Sequence, residues 1–113
     1  MVIIHKKGVE SAKELYQLTR NDGRKPLRQL DSGSTVELEK VVIYEDINTA
    51  TGELVRYTAF ETGGEVYVTN SAYFTAELLN MLSLFDSMGE SITSATLIRG
   101  KSKKGRTFTT VVL

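Results

Sequence analysis

Cysteine and tryptophan are absent from this 113-residue chain, which has a single proline and a single histidine. Without cysteine there is no disulfide, no thiolate metal site and no thiol nucleophile, as suits a reducing compartment. With His5 as the only imidazole, neither a histidine metal set nor a Ser-His-Asp triad can be assembled. His5 itself reads as an exposed terminal residue without a role. Long apolar runs are also missing. Met1-Val2-Ile3-Ile4-His5-Lys6-Lys7 becomes charged too soon for a signal peptide, and no stretch reaches the roughly 18 apolar residues of a membrane span. What remains, with 41% hydrophobic residues, is enough for one domain with a real core but not for two. A small cytoplasmic domain without membrane attachment, cofactor or metal is the expectation.

Net charge is zero, with 14 bases against 14 acids, but the signs are segregated. Residues 1–28 carry +4, residues 29–98 carry −9, and residues 99–113 carry +5 from Arg99, Lys101, Lys103, Lys104 and Arg106. A concentrated basic segment makes a local positive field even in a neutral chain. Lysines also keep sheet edges from pairing, so charge alone does not separate a ligand site from a solvated hairpin tip.

The order of elements narrows the choice. Ser11-Ala12-Lys13-Glu14 has the capping-box pattern, and Ala12, Leu15, Tyr16 and Leu18 give a short helix its apolar side, ending near Asn21-Asp22-Gly23. Residues 22–34 read as a connection. From Thr35 the period is two, with Val36 and Leu38 inward. Past Lys40 the phase slips to Val41 and Ile43, as at a bulge that lets one strand serve two parts of a barrel, and Val42 and Tyr44 then point outward. Leu54 to Glu61 forms the second strand. Gly63-Gly64 makes a tight hairpin turn, and Val66 and Val68 face inward on a short third strand with Tyr67 opposite. Asn70 or Ser71 caps a helix striped by Phe74, Leu78, Leu82 and Phe85 and widened by Leu79, Met81 and Met88, which Gly89 closes. Residues 91–99 and 106–113 form a last hairpin with a basic tip.

The chain is therefore expected to be mainly β: one domain, with an N-terminal helix and connection over 1–34 and a five-stranded OB-fold barrel over 35–113. One helix lies between strands 3 and 4. Barrels of that order bind oligonucleotides or oligosaccharides on strands 2–3 and through the 1–2 and 4–5 loops, and the basic run occupies the 4–5 loop.

Catalytic readings fit poorly. Glu45 and Asp46 are adjacent on a strand, where side chains diverge. Gly100-Lys101-Ser102-Lys103-Lys104-Gly105-Arg106-Thr107 approaches P-loop spacing, but has Arg for Lys and leads into a β-branched strand where a P-loop must open a helix. No enzyme is expected. Single-strand binding has better material: a cationic groove for phosphates and rings for bases, each stacked base contributing about 1–3 kcal/mol. Tyr44 and Tyr67 are the candidate rings. Arg56 and Phe108, beside Arg106, could share their face, whereas Tyr57 shares a phase with Val55 and Ala59 and could be core.

With the strands placed, residues 33–113 resemble the small single-stranded-DNA-binding proteins of tailed phages that replicate by protein priming, and of related phages of low-GC Gram-positive hosts. The resemblance rests on Gly33-Ser34-Thr35-Val36-Glu37, Ile43-Tyr44 with Asp46, Gly64-Glu65-Val66-Tyr67 before Ser71, and the run from Ile98 to Phe108. Leu15-Tyr16 in the first helix is similar to the start of some relatives. The resemblance implies a non-sequence-specific coat on displaced single strands during phage replication in the host cytoplasm, with Tyr44 and Tyr67 stacking on bases. A further family tyrosine falls where this chain has Asn48-Thr49-Ala50-Thr51. Bacterial counterparts recruit partners through an acidic tail; this chain ends at Leu113 in a strand, so no such recruitment is expected. Single-stranded DNA is the expected partner, RNA and oligomeric state (monomer or weak homo-oligomer) being left open. The rivals are a protein-interaction module docking an acidic partner on the basic hairpin, and a sugar-binding barrel, which a lysine cluster does not favour.

Overall fold

The computed structural model describes residues 1–113 throughout. The chain is mainly β, with eight strands and two α-helices: β1 (Val2–Lys7), α1 (Ala12–Thr19), β2 (Lys25–Pro26), β3 (Thr35–Glu37), β4 (Val41–Ile47), β5 (Leu54–Thr62), β6 (Glu65–Thr69), α2 (Ala72–Ser87), β7 (Ser94–Lys101) and β8 (Thr107–Val112). A 3₁₀ turn at Leu27–Gln29 follows β2. The strands form two open sheets, β1-β4-β5-β6-β2 and β3-β7-β8. This is compatible with an OB-like arrangement, but the five strands expected from the sequence number eight, and their ladders do not close into one ring.

The phase slip at Lys40 is the junction between the sheets. β3 pairs with β7, and after residues 38–40 the chain re-enters as β4, paired with β1 and β5. Glu61 N–H donates to the Lys40 carbonyl at 3.2 Å, and Leu38 N–H to the Thr93 carbonyl at 2.9 Å. From β1, the Lys7 ammonium donates to the carbonyls of Leu38 (2.5 Å) and Ile92 (2.8 Å), fixing the junction. Gly8 follows at φ +68°, so close to the junction that a Cβ there would sit 1.8 Å from the Glu39 carbonyl oxygen.

Two apolar clusters flank the larger sheet. Val41, Ile43 and Phe60 join Val36 and Leu97 from the smaller sheet, Leu38 from the junction and Phe74, Leu78 and Leu82 from α2 in the main core. On the opposite face Val42, Tyr44 and Ala59 are covered by Val9 and by Leu18 of α1. β4 is thus buried on both sides. Helix α1 starts at its expected cap, with Glu14 N–H donating to Ser11 Oγ at 3.2 Å, while the Glu14 carboxylate accepts from Glu10 N–H at 3.3 Å. Helix α2 is capped by Ser71, which accepts from Phe74 N–H, and the Thr58 and Thr75 hydroxyls join it to β5 at 2.7 Å inside the core. Met88, expected in the helix stripe, is instead exposed beyond its end. The hairpin turn falls at Gly63-Gly64 as expected, both at positive φ.

His5, read as a loose terminal residue, lies half-buried in β1 with Nε2 3.7 Å from the Asp86 carboxylate. The strand escaped the sequence reading because its apolar run stops after Ile4, and a bulge between Ile3 and His5 breaks its alternation.

Candidate nucleic-acid interface

The cations sort by what they touch. Arg20, Lys25, Lys40 and Arg56 stand in ion pairs with Asp46, Glu65, Glu14 and Glu45 respectively. The Lys40 ammonium draws the Glu14 carboxyl below its ordinary range and is itself held above its own. Lys7, Arg24 and Arg99 donate to backbone carbonyls. Lys6, Lys13 and Arg28 are exposed with neither kind of partner, each alone on a different part of the fold; the remaining four, Lys101, Lys103, Lys104 and Arg106, are exposed and unpartnered as well. These four share one hairpin, β7–β8, whose turn is held by Ser102 N–H to the Arg106 carbonyl (2.8 Å) and Gly105 N–H to the Ser102 carbonyl (2.9 Å).

Arg99 belongs to the same run in sequence but differs in its contacts. Its guanidinium donates to the Leu30 carbonyl and, at 2.9 Å, to that of Leu27, so it ties the segment after β2 to β7 of the hairpin. Arg99, expected to contact phosphate, thus has two of its N–H donors engaged by backbone carbonyls.

The hairpin also presents a ring. Phe108 is the cross-strand partner of Gly100, and its ring lies where a side chain on residue 100 would otherwise stand, 2.9 Å from the position of such a Cβ. Tyr73, in the first turn of α2, meets it edge-on, with centroids 5.8 Å apart and planes at 78°. Tyr73 is 50% exposed. With Ser102, Arg106 and Thr107, these rings line an open cleft of about 410 Å³ that contains no carboxylate. The sequence reading missed Tyr73. Its signal was position: it lies one residue off the buried stripe that begins at Phe74.

The two tyrosines expected on one open wall are on opposite faces. Tyr44 pairs with Tyr57, whereas Tyr67 pairs with Phe60, the partner of Val41 in the main core. Tyr44 is 2% exposed because α1 covers the face read as outward. Its hydroxyl accepts from Arg24 Nη1 at 2.8 Å and points toward the Thr19 carbonyl. Burial raises its pKa above the ordinary phenol value, against the opposing pull of Arg24. Tyr67 is half-buried with its ring stacked on Phe60 at 6.1 Å. The inversion has a simple cause: Val66 and Val68 pack under α1, not in the main core, so their phase is not the inner one. Arg56 is exposed but paired with Glu45 at 3.3 Å.

Neither the curated proteins nor the solved structures include a match to this chain. A model of the Phi29 type, described as Phage Single-stranded DNA-binding protein, does match, and it covers residues 4–113. With all but the first three residues matched, the chain belongs to the phage single-stranded DNA-binding proteins.

Proposed function

We propose that the protein coats single strands displaced during phage genome replication in the host cytoplasm, on an OB-type scaffold and without sequence preference. Lys101, Lys103, Lys104 and Arg106 neutralise phosphates, and Phe108 with Tyr73 offers the stacking platform. The observation that carries this reading is the concentration of four unpartnered, exposed cations on one hairpin, beside the half-buried ring of Phe108 and the exposed ring of Tyr73. Ions released from the strand on binding supply an affinity that falls steeply with salt, and stacking adds a salt-independent part that tolerates any base. Tyr44 and Arg99 hold the fold in this reading, and Tyr67 and Arg56 contribute little, one ring being packed on Phe60 and the other charge being paired.

Titration with oligo-dT, followed by tyrosine fluorescence, tests it. Tyr73→Ala is expected to weaken binding by about 1–3 kcal/mol at unchanged circular dichroism, as loss of one stacked base requires. Equal affinity for parent and variant would remove the stacking half of the mechanism.

A further inference from the structure

The other clefts of the molecule differ in the charge of their walls. The one between α1 and the β5–β6 hairpin holds Glu14, Glu61 and Glu65, and its one cation, Lys40, is already paired with Glu14 and Glu61. Phosphate is repelled there. A cleft of about 290 Å³ at the far end of the same sheet has no carboxylate: Arg28, Tyr57, Val68 and Asn70 line it with Pro26 and Leu27. Arg28 is exposed and without an ion-pair or hydrogen-bond partner. Tyr57 is half-buried, and its ring is fixed by stacking on Tyr44, with centroids 5.3 Å apart and planes at 24°. A ring held in this way is pre-ordered for a base, since little side-chain freedom remains to be lost on binding.

This cleft adjoins the hairpin by two routes. Arg99, near the turn end of β7, grips the carbonyls of Leu27 and Leu30 on either side of Arg28. Asn70, in its wall, precedes by three residues the Tyr73 that lines the hairpin cleft, a chain separation of at most about 11 Å.

We propose that the Arg28–Tyr57 cleft is a second nucleotide site on the same single strand: one base lies against Tyr57, its phosphate on Arg28, and the strand reaches it from the hairpin across the start of α2. The proposal rests on the single-strand reading above and adds to it a path and a second anchor.

The test compares oligo-dT of about 4 and about 16 nucleotides, the span of single-strand site sizes on such folds. Arg28→Gln is expected to weaken binding of the longer oligomer only, and to lower its slope of log affinity against log salt by about 0.7, the share of one phosphate contact. A Lys103→Gln, Lys104→Gln variant is expected to weaken both lengths. Photocrosslinking of the longer oligomer carrying 5-iododeoxyuridine is expected to label Tyr57 as well as the hairpin rings. An unchanged salt slope for Arg28→Gln, an equal loss on both lengths, or crosslinks confined to Tyr73 and Phe108 overturns the second site while leaving the hairpin in place. If the double hairpin variant binds both lengths as the parent does, the underlying reading falls and this proposal falls with it.

Discussion

Single residues show where local chemistry is decisive. Gly8 combines a positive φ with a carbonyl oxygen where a Cβ would stand, so no rotamer relieves the clash. Gly8→Ala is expected to destabilise the fold by at least about 2 kcal/mol, through backbone strain and loss of the junction that β1 supports, as read by denaturant unfolding. Tyr44 gives a pH signature. Its buried phenol stays protonated above the ordinary value, so its contribution to stability is full below the pH at which an unfolded tyrosine ionises. That contribution is lost as pH rises through the raised folded value. Ultraviolet titration of the five tyrosines should show one phenol ionising late, together with alkaline unfolding, and Tyr44→Phe should remove the late component. Simultaneous ionisation of all five would place Tyr44 in water.

At the scale of elements, α1 matters because it turns the outer face of the large sheet into a second core. Ser11 holds its first turn, so Ser11→Ala is expected to lower stability by about 1 kcal/mol in thermal or denaturant unfolding; no change would mean that packing on Val42 and Ala59 alone holds the helix. The same element explains what the sequence did and did not disclose. Both helices, the Ser11 cap, the Gly63-Gly64 turn and the basic hairpin are local patterns, and each was legible, while the second cap was narrowed to Asn70 or Ser71. The orientation of Tyr44 was not, because alternation marks which residues share a face without saying whether that face is open. A hint was present: Val41-Val42-Ile43-Tyr44 is an unbroken apolar run, the pattern of a strand buried on both sides. β1 and the two-residue β2 lay beyond reach, being short elements that exist only because β4 and β6 present edges to pair with.

For the whole molecule, neutrality conceals an ordered arrangement of charge. On the body of the fold Arg20, Lys25, Lys40 and Arg56 are paired with carboxylates and the unpartnered cations Lys6, Lys13 and Arg28 stand singly, while the β7–β8 hairpin gathers four that nothing neutralises. Exposed pairs of the first kind add little to stability, so the segregation is better understood through binding than through folding. Arg99 sits at the boundary, spending its charge on the backbone so that the segment bearing Arg28 is held beside the hairpin. The most direct measurement is the salt dependence of oligo-dT affinity for the parent and for a chain with Lys101, Lys103, Lys104 and Arg106 all changed to Gln. The expected result is an intact fold with much weaker binding, and a salt slope reduced by about 0.7 for each phosphate contact removed. A variant that folds and keeps both the affinity and the slope of the parent would contradict the assignment of the hairpin as the strand-binding element.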